Sequence, residues 1–165
     1  MKLKNGLPYL IAALAATWIL VTASLGYDEL VVGALAVLVI ALAVRRLSPV
    51  YAGLRFTPKA VISVFVYFLI FMRELIKANL DVASRVLNPA LPIRPGIVEV
   101  KTGMLSPLGK LVLANSITLT PGTLTLDVKD DRMFIHWIDV QGQDSDAATA
   151  AIVGAFEGTL KEIVA

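Results

Sequence analysis

Residues 7–25, LPYLIAALAATWILVTASL, form a run of 19 residues without a charge, and no other feature limits this 165-residue chain as much. As a helix the run would reach about 28 Å, close to the roughly 30 Å of a bilayer's hydrocarbon core. A second apolar run at 30–44 follows after only GYDE, too short for anything but a tight connection, so the two read as a helical hairpin. The second run is shorter, about 22 Å as a helix, and needs Tyr27 or local bilayer thinning to span. A signal peptide competes for the first run, because Lys2 and Lys4 precede it and Thr22-Ala23-Ser24 mimics a cleavage site. A core of this length, with a second apolar run close behind, favours a retained helix.

A third apolar segment, 60–72, continues without a break into RELIKANLDVASRVLNP. Thr57 and Pro58 supply a hydroxyl cap and a first-turn proline. Arg73, Glu74 and Lys77 at a bilayer centre would each cost about 2.5–3.5 kcal/mol, whereas each apolar residue returns a few tenths. The charged turns therefore belong at or beyond the interface. Arg73, Lys77, Asp81 and Arg85 recur every four residues and share a face, with Leu75, Ile76, Leu80, Val86 and Leu87 across from them. The prediction is one helix over 58–88 that leaves the membrane as an amphipathic shaft. Its Glu74, beside Arg73, is the most interesting charge. Ionisable groups at membrane depth are functional candidates, but snorkelling and helix pairing is the better reading. Thr17, Thr22 and Ser63 are too few and too mild to build an ion path around one carboxylate, so any path belongs to other subunits.

The chain is 57% hydrophobic and 17% charged, outside the usual range of soluble domains. Residues 1–88 carry 9 Lys and Arg against 4 Asp and Glu, and residues 89–165 carry 6 against 9. A basic membrane part thus precedes an acidic soluble one, and because the basic residues flank apolar segments, they do not point to nucleic acid. Cysteine is absent, which excludes disulfides, thiol catalysis and thiolate metal sites. If both of the first two segments cross, Lys2, Lys4, Arg45, Arg46, Arg55 and Lys59 fall on one side, the inside. Three crossings would then place the soluble part outside, and the charges after the third segment argue the other way. Sequence leaves its side open.

The proline-rich stretch 89–96 reads as a linker. Beyond it IVEVKT alternates as a strand, and SPLGKLVLANSITL has Ser106 and Pro107 as a helix start. TLTLDV and MFIHWIDV are strands joined by KDDR as an antiparallel pair, and the tail places Ile152, Phe156, Leu160 and Ile163 on one face of an amphipathic helix. The expected fold class is a membrane protein with N-terminal helices at about 7–25, 27–46 and 58–88 (region 1–88), followed over 97–165 by a small α+β domain. Its order, β-α-β-β-α, is that of a trimmed ferredoxin-like fold.

SITLTPGTLTLDV mirrors itself about Pro121-Gly122 but is not expected to be a hairpin, since L-Pro-Gly favours a type II turn that splays paired strands. It reads instead as a helix-to-strand elbow: Pro121 ends the helix, Gly122 redirects the chain, and Thr120 and Thr123 satisfy loose backbone groups, with a partner subunit as its expected neighbour. His136, the single histidine, is read as a packed or interfacial strand residue, because no second His or Cys accompanies it. Asp127, Asp130, Asp131 and Asp139 are read as solvated turn charges, lacking the glycine and glutamate of a calcium loop. Ser116 has neither a nucleophile's context nor a base. No metal, cofactor or catalytic set is expected, and an anchored enzyme domain is the weaker alternative.

The blocks RELIKANLDVASRVLNP, IRPGIVEVKT, LANSITLTPGTLTLDV and IHWIDV, in that order, resemble the signatures of the MnhE/MrpE family, the E-type subunits of the Mrp (Mnh) type multisubunit Na+/H+ antiporter. The resemblance implies an accessory subunit in the cell membrane, multi-pass, with its C-terminal domain cytoplasmic and the ions carried by complex-I-like partner subunits. Related modules in hydrogenase-type energy-converting complexes are the alternative host. Thr120, Pro121, Gly122, Thr123, Asp127 and His136, within the resembling blocks, are expected as partner-contact or motif positions, and Arg73, Glu74 and Lys77, on the cost argument above, as interface-level charges.

Overall fold

A computed structural model describes residues 6–44, 50, 53–55, 57–140 and 144–164. They form two compact units, Met1–Leu54 and Arg55–Ala165. The division falls ahead of the third helix, whereas the sequence suggested one at the proline linker.

The first unit is the expected hairpin of α1 (Leu7–Thr22) and α2 (Tyr27–Ala43). Gly33, Val37 and Ala41 are buried along one line of α2, four residues apart, where small side chains let the helices approach. A Cβ on Gly33 would lie 2.5 Å from the Trp18 ring, so the indole crosses α2 at the one residue that leaves room, and its Nε1 donates to the Glu29 carbonyl at 3.1 Å. Elsewhere the pair is apolar on every side, with Leu20, Val21, Val32, Leu35 and Leu42 exposed. Both helices are shorter than expected. Ala23 adopts a left-handed φ of 49° and closes α1 before residue 25, and α2 ends at Ala43, the predicted end at residue 46 lying outside the described residues. Among the described residues no helix is long and apolar enough to cross a membrane: α1 has 16 residues, α2 has 17, and the 30-residue α3 is apolar only in its first half.

The second unit opens with α3 (Pro58–Leu87), started as predicted by Thr57, whose hydroxyl accepts from the Ala60 N–H at 3.1 Å with Pro58 in the first turn. Then follow β1 (Gly96–Lys101), α4 (Pro107–Leu119), β2 (Thr123–Lys129) and β3 (Arg132–Trp137). Ser106 caps α4 by accepting from Gly109 N–H. The predicted single tail helix is two, α5 (Ser145–Ile152) and α6 (Gly154–Ile163), parted at Val153; Ile152, Phe156 and Leu160 still share a buried face.

The sheet has the order β1-β3-β2 with both pairings antiparallel, so β1 and β2 run parallel with β3 between them, a split β-α-β arrangement. Alternation sends Val100, Met133 and Ile135 inward against Leu113 and Ile117 of α4 and Phe156 and Leu160 of α6, all fully or nearly fully buried. The other face of the sheet carries Ile97, Leu124 and His136 in register. α3 is the third layer. It packs on α6 from the Lys59–Glu162 ion pair (2.9 Å) to the tilted Tyr67–Phe156 ring contact, 6.1 Å between centroids.

Candidate functional site

The elbow is built as its residues require. Helix α4 ends at Leu119, leaving carbonyls without helical partners. The Thr120 and Thr123 hydroxyls both donate to the Ile117 carbonyl, at 2.7 and 2.6 Å, and Thr125 Oγ1 reaches the Ala114 carbonyl at 3.1 Å. Gly122 turns the chain with a φ of 89° and delivers Thr123 into β2. Its missing side chain matters twice, because a Cβ there would lie 2.9 Å from Ile138 and 3.5 Å from Val82 of α3. Within the chain, therefore, α3 is the element across from the elbow.

Between them runs a cleft of about 350 Å³, lined by Glu74, Lys77, Ala78 and Asp81 on one side and by Thr120–Thr123, Trp137 and Ile138 on the other, with Ile152 and Phe156 closing an end. Glu74 turns into it, its side chain 18% exposed, 3.7 Å from Lys77 Nζ and 4.0 Å from Arg73 Nη1, while both cations point outward. Above the cleft, Tyr67 Oη and Ser116 Oγ share a hydrogen bond of 2.6 Å. Tyr67→Phe would leave the buried serine oxygen without that partner. The expected loss is about 1–2 kcal/mol, read as a lowered unfolding midpoint of the detergent-solubilised chain; an unchanged midpoint would mean the bond is not made.

An ionic knot ties the far end. Asp139 is buried and bonds Arg85 Nη1 at 2.9 Å and Arg94 Nε at 3.0 Å. Arg85 also makes a two-pronged contact with Asp81 (2.8 and 3.1 Å) and donates to the Pro92 carbonyl at 2.7 Å. Backbone bonds from Arg94 N–H to the Ile138 carbonyl and from Val140 N–H to the Arg94 carbonyl complete it. The Arg94 hydrogen bond, seconded by the charge of Arg85, holds the Asp139 carboxyl below the usual carboxylate range although burial acts the other way. Asp139 is thus no solvated turn charge: it lies past the end of β3, in the layer between sheet and α3. Of the charges that recur every four residues on α3, Lys77 pairs with Glu74 and not with Asp81, and Asp81 pairs with Arg85.

The other predicted positions stand apart from the cleft. Asp127 is exposed, bonded to Lys129 Nζ at 3.1 Å and to the Val128 N–H, and those contacts lower its pKa. His136 is exposed on the open face of the sheet. Among the described residues no group of three or more His, Cys, Asp or Glu could hold a metal ion.

Residues 11–163 match the protein family described as Na+/H+ ion antiporter subunit. The chain belongs to that family, MnhE. The E1-type Na(+)/H(+) antiporter subunit of Staphylococcus saprophyticus is 32% identical over 152 residues, 91% of each chain. The E-type Na(+)/H(+) antiporter subunit of Bacillus subtilis is 40% identical over 104 residues, 62% of this chain and 65% of that one. A chain in the structure of the membrane-bound sulfane sulfur reductase, an archaeal respiratory membrane complex, superposes with a TM-score of 0.81 at 44% identity, covering 95% of this chain and 98% of that one. MnhE is a family of antiporter subunits of membrane complexes and not a family of enzymes. The elbow noted in the sequence lines the cleft of this MnhE chain, but the knot of Arg85, Arg94 and Asp139 was missed. The one signal for it was an aspartate near the end of the mostly apolar run MFIHWIDV, and its partners lie 45 and more residues away.

Proposed function

We propose that the chain is an accessory, structural subunit that needs its neighbours to act: partner subunits carry Na+/H+ exchange, and this one supports their assembly. The observation that carries the reading is how the hairpin's few polar groups are used. Thr17 Oγ1 and Thr22 Oγ1 donate to the carbonyls of Ala13 and Trp18 within their own helix, and the Trp18 indole is taken by Glu29. Their protons are committed within the hairpin, and two hydroxyl oxygens are too few to replace a cation's shell of oxygen ligands. Helices apolar on all sides suit surroundings of lipid and neighbouring membrane helices instead. On this reading the hairpin is the inserted part, in the plasma membrane, and the trimmed ferredoxin-like domain is cytoplasmic.

The test separates anchor from pathway. Glu74→Gln is expected to leave both complex yield and exchange unchanged when each is measured separately; lost exchange in a fully assembled complex would put Glu74 on the ion path. The likeness to a chain of the sulfane sulfur reductase supports a second host, a respiratory complex of that kind. Native purification in gentle detergent decides between the hosts by the proteins that copurify, and a free, active monomer would sink both.

A further inference from the structure

We infer that α3 does not cross the bilayer but lies along its surface, with one apolar stripe in the lipid and Arg73 and Lys77 against anionic headgroups. Ile62, Phe65, Leu69, Ile76, Leu80 and Leu87 are each between 61% and 83% exposed. At about 100° per residue all six fall within roughly 40° of the Leu69 direction, a continuous line about 38 Å long. Residues that dock on the α+β layers occupy the other side of the helix: Ala60 and Ser63 are buried, Tyr67 bonds Ser116, and Arg85 bonds Asp139. The stripe therefore runs the full length of α3, through the apolar half and the charged half alike.

Crossing is excluded by what travels with the helix. The Lys59–Glu162 pair, the Tyr67–Phe156 contact and the Arg85–Asp139 bond fasten α3 to the α+β layers from end to end. Sinking its apolar half would take α6 into hydrocarbon with Glu157, Lys161 and Glu162, each costing about 2.5–3.5 kcal/mol at depth. It would also take in a three-stranded sheet whose outer strands, β1 and β2, carry backbone groups that lipid cannot satisfy. A helix fastened along one side and apolar along the other fits the interfacial class instead.

Charge selects lipid as the occupant. Arg73 lies about 40° from the centre of the stripe and Lys77 about 80°, and their side chains are 79% and 74% exposed. Glu74, the acid that pairs with both, is turned inward at 18%. The rim beside the stripe is thus cationic, and lipid phosphates meet it at every point along the surface. With α3 in the interface, the basic residues flanking the first two segments no longer conflict with a cytoplasmic α+β domain.

The chain has no cysteine, so single labels can be placed freely. Cysteines at Ile62, Phe65, Leu69, Ile76, Leu80 and Leu87 of the full chain, spin-labelled in phosphatidylcholine vesicles with and without phosphatidylglycerol, report depth from collision with oxygen and with a water-soluble nickel complex. All six are expected at one shallow depth, with a label at Asp130 reading water. Arg73→Gln with Lys77→Gln should remove the added depth that phosphatidylglycerol confers. A profile that deepens and then returns along 58–72 would overturn the inference in favour of crossing. Labels in the purified native complex that are shielded from both agents would overturn it in favour of a protein occupant. Neither result depends on which proteins copurify, so the accessory role stands or falls separately.

Discussion

Gly122→Val is expected to destabilise the chain by roughly 2–5 kcal/mol and to prevent most of it from reaching a complex. Two independent costs meet at this residue. A φ of 89° is one that side-chain-bearing residues rarely adopt, and forcing one into the left-handed half of the map costs about 1–2 kcal/mol. The new Cβ would also start 2.9 Å from Ile138 Cγ2, and overpacking of that kind costs about 1–3 kcal/mol. Ile138 cannot step aside cheaply, since its N–H donates to the Gly122 carbonyl at 2.8 Å and its carbonyl accepts from Arg94. Against a total stability of about 5–15 kcal/mol the combined loss is large. Thermal midpoints of Gly122→Ala and Gly122→Val should fall in that order, the valine having further atoms to place against Val82 as well. A valine variant that melts with the native chain would show that the elbow is not held in this conformation.

Asp139→Asn should give the largest loss of any single charge removal, and its pH dependence identifies the cause. Removing the carboxylate leaves Arg85, only 13% exposed, and Arg94 facing each other with the shared counter-charge gone. A largely buried charge left with only the half-exposed Asp81 as counter-charge loses more than an exposed pair broken in water. The exposed Lys101–Asp146 pair serves as the control, and Lys101→Met should barely move the midpoint. The sign with pH follows from the lowered carboxyl pKa. A group whose pKa is depressed in the folded chain stabilises it above the ordinary carboxylate value, and that contribution is lost as pH falls through the folded value. The gap between native and Asp139→Asn midpoints should hold steady from neutral pH down to about 4 and narrow below it. A gap that ignores pH would trace the loss to packing. The double variant Arg85→Met with Asp139→Leu should recover part of the loss, because it leaves no lone buried charge at the pair.

Local order was legible where local chemistry decides it. Thr57-Pro58 and Ser106-Pro107 start α3 and α4, Pro121-Gly122 makes the elbow, and KDDR joins β2 to β3, each a matter of a cap, a fixed φ or a turn between near neighbours in the chain. The order of strands and helices follows from hydrophobic period and turn signals as far as the tail, which is two helices where one was expected. Where the reading failed, partners were remote. Asp139 looks like one more acid near a loop until the sheet carries it to Arg85 and Arg94, and the break at Val153 arises where the tail turns from β1 onto α3 and α4.

From its sequence alone, the chain has an apolar hairpin, a long amphipathic helix and a small α+β domain, because hydropathy, caps and turns are properties of short windows. Tertiary structure decided which face of α3 is which. The pattern shows both an apolar and a charged side, and either could face inward. Arg85 can bury its charge only where Asp139 and the Pro92 carbonyl wait for it, so the charged end turns to the domain and Ile76, Leu80 and Leu87 are left outside. That choice, fixed by the Arg85–Asp139 contact between residues more than fifty apart, lays α3 along the domain as its third layer.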